Sequence, residues 1–236
     1  VRKFTLTNLL VAANVLAFVW QTTTGGGIQG DHGYLTRQSV LEYGEWDRIF
    51  SAAFLHWNIT HIALNMIALY SVGNVVEALF GKVRFALLYL IAIVGSGLTI
   101  VEFSDFTVRT QGASGAIFGL FGALVAAGLR MGPRGRSLIQ SVLPVVVINL
   151  VITFTIPGIS AAGHVGGLIT GFLAGLVLFM VRRAGYAYAY AAAPGEAASV
   201  APLEHAPEVE TIEHPPDAGP HEEADAPPLH VRDPRE

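Results

Sequence analysis

Residues 111–120 read QGASGAIFGL, a serine set between glycines where an apolar helix begins. The run that follows, to Arg130, is apolar and long enough to enter a bilayer. Serine alcohols are weak nucleophiles, and hydrolysis needs water that lipid lacks. The reading of this stretch therefore depends on which other polar groups share its depth.

Composition places the stretch in a membrane protein. Of 236 residues, 52% are hydrophobic and 14% charged, too oily for an ordinary soluble domain. Charge is segregated: 11 of 18 acidic residues follow Gly195, and 9 of 12 prolines follow residue 190. These features predict two parts. Residues 1–185 form a membrane-embedded body, and 186–236 form an acidic Pro/Ala-rich tail. The tail buries too little apolar surface to offset its ordering entropy, so it is expected to be disordered. With no cysteine, disulfides and thiolate metal sites are excluded. The net charge of −4 comes mainly from the tail and gives no sign of a nucleic-acid partner. Thr5–Trp20 lacks a small-residue cleavage site, so it reads as a retained helix rather than a signal peptide.

A helix needs roughly 20 apolar residues to cross the hydrocarbon core. Six spans are predicted, near 5–20, 55–79, 84–101, 114–130, 138–156 and 160–181, giving an all-α polytopic bundle. Pro144 is expected to kink the fifth. One set of span ends carries Arg2, Lys3, Lys82, Arg84, Arg130, Arg134, Arg136, Arg182 and Arg183; the other carries Arg37, Arg48 and Arg109. The positive-inside rule then puts both termini in the cytoplasm. The first outer loop, 21–54, is long and holds Gly25-Gly26-Gly27 and Glu45-Trp46-Asp47-Arg48.

In this topology spans two, four and six all run inward, and each carries unusual polar residues at its outer end. Span two has His56, His61 and Asn65, span four opens with Ser114, and span six opens with His164. At about 1.5 Å per residue these groups share one depth. His61 and Asn65 are four apart and lie on one helix face. Gly115 and Gly119 on span four, and Gly163, Gly167, Gly171 and Gly175 on span six, form small-xxx-small stripes that let backbones approach. Close packing of these spans would carry Ser114 toward His164.

Each residue alone has a structural reading. Ser114 could cap a helix, His164 could sit at an interface, and His61 and Asn65 could join helices. Together they allow an imidazole to take the serine proton and amides to bind an oxyanion. The only nearby carboxylates, Glu102 and Asp105, are in the preceding loop, which favours a dyad over a triad. The donors would be the Ser114 N–H, Asn65 and His61. Ala116 breaks the G-x-S-x-G elbow, and no HExxH accompanies the histidines, so a zinc protease is not expected. No mid-span Asp, Glu, Lys or Arg and no internal repeat point to transport.

With these residues assembled, the sequence resembles the rhomboid family of intramembrane serine proteases over about residues 5–181. The resemblance rests on Gly112-Ala113-Ser114-Gly115, on His164 with Gly167 and Gly171, and on His61 through Asn65. It also draws on Trp46 and Arg48 in the first loop, and on Gly73 with Glu77. It implies a six-helix bundle with Ser114 as nucleophile and His164 as base. His61, Asn65 and the Ser114 N–H would bind the oxyanion, with His56 ordering the site. Phe118, where some members have tyrosine, should stack on His164. Gly112, Gly115 and Gly167 support the packing, and Trp46 and Arg48 support the first loop. The implied substrates are membrane-anchored proteins cut in or beside a transmembrane segment, with no metal or cofactor. A multi-pass protein of a bacterial plasma membrane is implied, its site opening to the non-cytoplasmic side. A catalytically silent rhomboid-like protein that binds membrane clients is the alternative. No oligomeric state follows.

Overall fold

The computed structural model describes residues 5–24 and 33–179. The expected tail, the 185/186 boundary, Gly25 to Gly27, Arg2, Lys3, Arg182 and Arg183 lie outside the described residues. The chain divides at residues 198/199, and everything described belongs to the first unit.

The described residues are helical, with a single isolated antiparallel bridge, Leu35 to Thr110. In chain order the α-helices are α1 (Leu6–Thr24), α2 (Arg37–Leu41), α3 (Arg48–Ser51), α4 (Ile59–Phe80), α5 (Lys82–Phe103), α6 (Ser114–Arg130), α7 (Arg136–Thr155) and α8 (Ala161–Leu178). Short 3-10 turns cover Ala52–Phe54 and Gly132–Gly135. Five helical segments are long and apolar enough to cross a membrane, and α6, at 17 residues, is a shorter apolar helix in the position of the fourth expected span. Their outward faces carry exposed Leu64, Ile67, Val83, Phe154 and Val177, side chains that water would penalise and lipid does not. The chain is an integral, multi-pass membrane protein.

Local chemistry sets the helix limits. The second span starts at Ile59 rather than 55 because the Asn58 side chain accepts the His61 N–H and caps α4. Residues 55–58 are therefore a non-helical link. Gly81, at φ +79 and ψ 160, makes the one-residue turn between α4 and α5, a conformation largely closed to other residues. α7 runs through Pro144 without interruption. α1 reaches Thr24, four residues past its expected end, with Thr22, Thr23 and Thr24 donating their hydroxyls to carbonyls of the preceding turn.

At its other end α1 is held by a carboxylate. Glu77 accepts hydrogen bonds from the N–H groups of Leu6 and Thr7 and from the Thr7 hydroxyl, at 2.8–2.9 Å. These are the orphan donors of a helix start, and the negative charge suits the dipole there. Gly73 lies one turn away, where a Cβ would stand 2.8 Å from Thr7. The G-x-x-x-E pair is thus the docking seat of α1.

At the centre α6 packs along α8, with α5 laid across both. A Cβ on Gly167 would run into the Gly115 backbone, and one on Gly171 into that of Gly119. The glycine stripes let two helices meet backbone to backbone, and that contact aligns the starts of α6 and α8.

Candidate active site

The first loop, which holds the short helices α2 and α3, is tied to the rest of the fold by bonds between distant segments. Arg48 is buried; its guanidinium donates to the Tyr34 carbonyl at 3.0 Å and pairs with Glu45 at 2.7 Å. Next to Tyr34, Leu35 exchanges two backbone hydrogen bonds with Thr110, at 2.8 and 2.9 Å. The Gly112 N–H donates to the Ala52 carbonyl at 2.9 Å. These bonds fix the segment that leads into Ser114. Trp46, by contrast, projects outward and is exposed.

Gly112 is demanded twice. Its φ is +130, and a Cβ there would lie 2.7 Å from Cε1 of His61. The bare backbone lets the His61 ring lie against the approach to Ser114.

Ser114 is the first residue of α6 and does not cap it; the capping position belongs to Ala113, which supplies no side-chain bond. The Ser114 hydroxyl meets Nε2 of His164 at 2.8 Å, across 50 residues of sequence. The other ring nitrogen, Nδ1, meets the Thr153 hydroxyl at 2.8 Å. Both imidazole nitrogens are thus engaged, and neither Glu102 nor Asp105 touches the ring. Phe118, one turn along α6, stacks on His164 with centroids 4.2 Å apart and planes 17° from parallel. The ring is held from its face and from both nitrogens.

Hydrogen-bond donors gather on the α4 side of Ser114. Among the described residues the Ser114 N–H has no acceptor, because α6 lacks the side-chain cap that Asn58 gives α4 and Ser160 gives α8. Asn65 donates one amide hydrogen to the His61 carbonyl at 2.9 Å and keeps the other. The Trp57 N–H points toward Nδ1 of His61 at 3.5 Å.

Behind them lies His56, in the link before α4. It is fully buried and stands edge-on to His61 at 5.1 Å. Burial first, and the neighbouring His61 second, lower its pKa to about 4. Gln21 of α1 clamps its peptide, accepting the His56 N–H at 3.0 Å and donating to its carbonyl at 3.1 Å.

A cavity of about 730 Å³ opens over these groups, bounded by α4, α6, α7 and α8. His61, Asn65, Ser114, Phe118, Thr153 and His164 all line it. The geometry brings together Ser114, His164, His61, Asn65, Phe118 and Gly112, with Gly115 and Gly167 in the helix contact beneath. His56 stands behind the cavity, Arg48 braces the loop, and Trp46 takes no part. Sequence reasoning missed Thr153, Gln21 and Tyr34. For Thr153 there was a signal: it lies eleven residues before His164, across the Pro157-Gly158 turn. In an antiparallel helical hairpin that spacing puts the two at one depth.

Residues 43–181 match the Rhomboid domain. The chain belongs to the rhomboid family. It is 36% identical over 180 residues to Rhomboid protease GluP of Bacillus subtilis (strain 168), covering 75% of this chain and 35% of that protein. It is 32% identical over 157 residues to RHOMBOID-like protein 6, mitochondrial, of Arabidopsis thaliana, covering 65% and 50%. RHOMBOID-like protein 5 of the same plant is 32% identical over 158 residues, again covering 65% and 50%. The chain spans about a third to a half of the length of these rhomboid relatives. The rhomboid match includes α4 to α8 and begins after α1.

Proposed function

We propose that this rhomboid-family protein is an intramembrane serine endopeptidase working through a Ser114–His164 dyad. The observation that carries the reading is the 2.8 Å contact between the Ser114 hydroxyl and Nε2 of His164 at the wall of an accessible cavity. His164 takes the hydroxyl proton as Ser114 attacks a substrate carbonyl. The resulting oxyanion is bound by the Ser114 N–H, the free amide hydrogen of Asn65 and an N–H of His61. The leaving amine takes the proton from His164, and water then hydrolyses the ester with His164 again as base. Substrates on this reading are membrane-anchored proteins whose transmembrane segment unwinds locally, since a peptide bond inside a helix is shielded by its own hydrogen bonds. The positive-inside distribution supports a site opening to the non-cytoplasmic face of a bacterial plasma membrane, with both termini cytoplasmic. Residues 1–185 are the hydrolytic unit.

A fluorophosphonate probe tests this directly. It is expected to label the detergent-solubilised protein at Ser114, to fail on Ser114→Ala and to label His164→Ala only weakly. A chain ending at Gly185 should label at the full rate. A folded wild type that takes no probe would overturn the protease reading in favour of a client-binding rhomboid. A truncated chain that stays unlabelled would overturn the assignment of residues 1–185.

A further inference from the structure

The dyad contains an undeclared third member. Thr153 sits near the outer end of α7, is buried at 4% exposure, and touches the imidazole edge that faces away from Ser114. We infer that Thr153 is a positioning residue that fixes the His164 tautomer and so makes Nε2 the basic nitrogen. This rests on the proposed serine-protease reading but is measurable without turnover.

The hydrogen-bond network decides the direction of each proton. The Thr153 oxygen lies 2.7 Å from the Asn149 carbonyl oxygen. Two oxygens that close need a hydrogen between them, and a carbonyl has none to give, so the Thr153 hydroxyl donates to Asn149. With its only hydrogen committed, Thr153 can only accept from the imidazole at 2.8 Å. Nδ1 of His164 therefore carries the proton. The lone pair of the neutral ring is then on Nε2, 2.8 Å from the Ser114 hydroxyl, which donates to it. A carboxylate in that place would orient the ring in the same way and add charge; the threonine orients it without placing a net charge in the membrane.

The ordinary role of a helical threonine does not account for this. Thr99, Thr155 and Thr170 also return their hydroxyls to carbonyls of the preceding turn. Their further hydrogen bonds stay within the same helix, whereas Thr153 also hydrogen-bonds a side chain on another helix, and that side chain is the proposed base. Among the described residues this is the side-chain hydrogen bond that joins α7 to α8. The position of α7, a wall of the cavity, is thereby coupled to the protonation pattern of the ring.

The test uses Thr153→Val, which keeps the shape and removes the acceptor, and Thr153→Ser, which restores it. Thr153→Val is expected to lower kcat on a transmembrane substrate by roughly 10- to 100-fold at unchanged KM, part of the range a positioned base supplies. Thr153→Ser should recover most of that loss. Independently, nitrogen-15 spectra of His164 in the full-length protein should show Nδ1 protonated in the wild type and in Thr153→Ser, and mixed tautomers in Thr153→Val. Equal kcat in Thr153→Val, no recovery in Thr153→Ser, or a wild-type ring protonated on Nε2 would each overturn the inference. A wild type with the expected tautomer and no reaction with the fluorophosphonate would instead sink the protease reading and leave the tautomer assignment standing.

Discussion

Asn65 holds one amide hydrogen on the His61 carbonyl and keeps the second free in the cavity wall. If that hydrogen meets the oxyanion, Asn65→Ala should lower kcat roughly 10- to 1000-fold, the range for losing one donor while others remain. A steady-state assay giving the wild-type rate would remove Asn65 from the hole. His56 bears on stability. Its pKa is about 4 in the folded chain against 6.5 in the unfolded one. The unfolded state therefore gains the proton first, and the stability present above pH 6.5 is lost as pH falls toward 4. Thermal inactivation should move to lower temperature between pH 7 and pH 5, and by a smaller margin in His56→Leu; an equal shift in both would exclude His56 as the cause. The sequence displayed most of these side chains, since His61, Asn65, Ser114 and His164 carry polar chemistry in apolar helices. It did not display Thr153, because a threonine in a helix normally bonds its own backbone, and its second partner lies on another element.

At the scale of elements, the α6–α8 contact is the one on which the Ser114–His164 distance depends. Glycines at every fourth position were legible because that spacing puts them on one helix face. What they touch was not: the Gly171 face meets the backbone of Gly119, which cannot step aside as a flexible side chain would. Gly171→Ala should therefore cost about 1–3 kcal/mol by overpacking and slow probe labelling, read by thermal melting and by the labelling rate. A variant that melts and labels like the wild type would show that the helices can part without loss. The first loop was illegible for a related reason. Its order comes from Arg48 on the Tyr34 carbonyl and from Leu35 paired with Thr110, contacts made across long sequence separations that leave no periodic trace. The Gly73–Glu77 pair could be spotted as a pattern, but its task of receiving the start of α1 emerges only when Thr7 is seen above it.

For the whole molecule, hydropathy and charge segregation were enough to read a helical membrane body, because apolar length is a one-dimensional property. They were less able to judge α6, whose 17 residues span only about 26 Å at the helical rise, while the hydrocarbon core is about 30 Å thick. If Arg130 sits at one boundary, the opposite end, where Ser114 begins the helix, stops a few ångströms short of the other. The neighbouring α5, with 22 residues, has no such deficit. On that placement, hydrophobic mismatch falls on the helix that bears Ser114, and the cheapest remedy is a bilayer that thins around it. Turnover in vesicles should consequently fall as lipid acyl chains lengthen, since thicker membranes would draw the serine farther beneath the surface that supplies its water. A rate indifferent to acyl-chain length would mean that the cavity alone, and not the surrounding lipid, governs hydration.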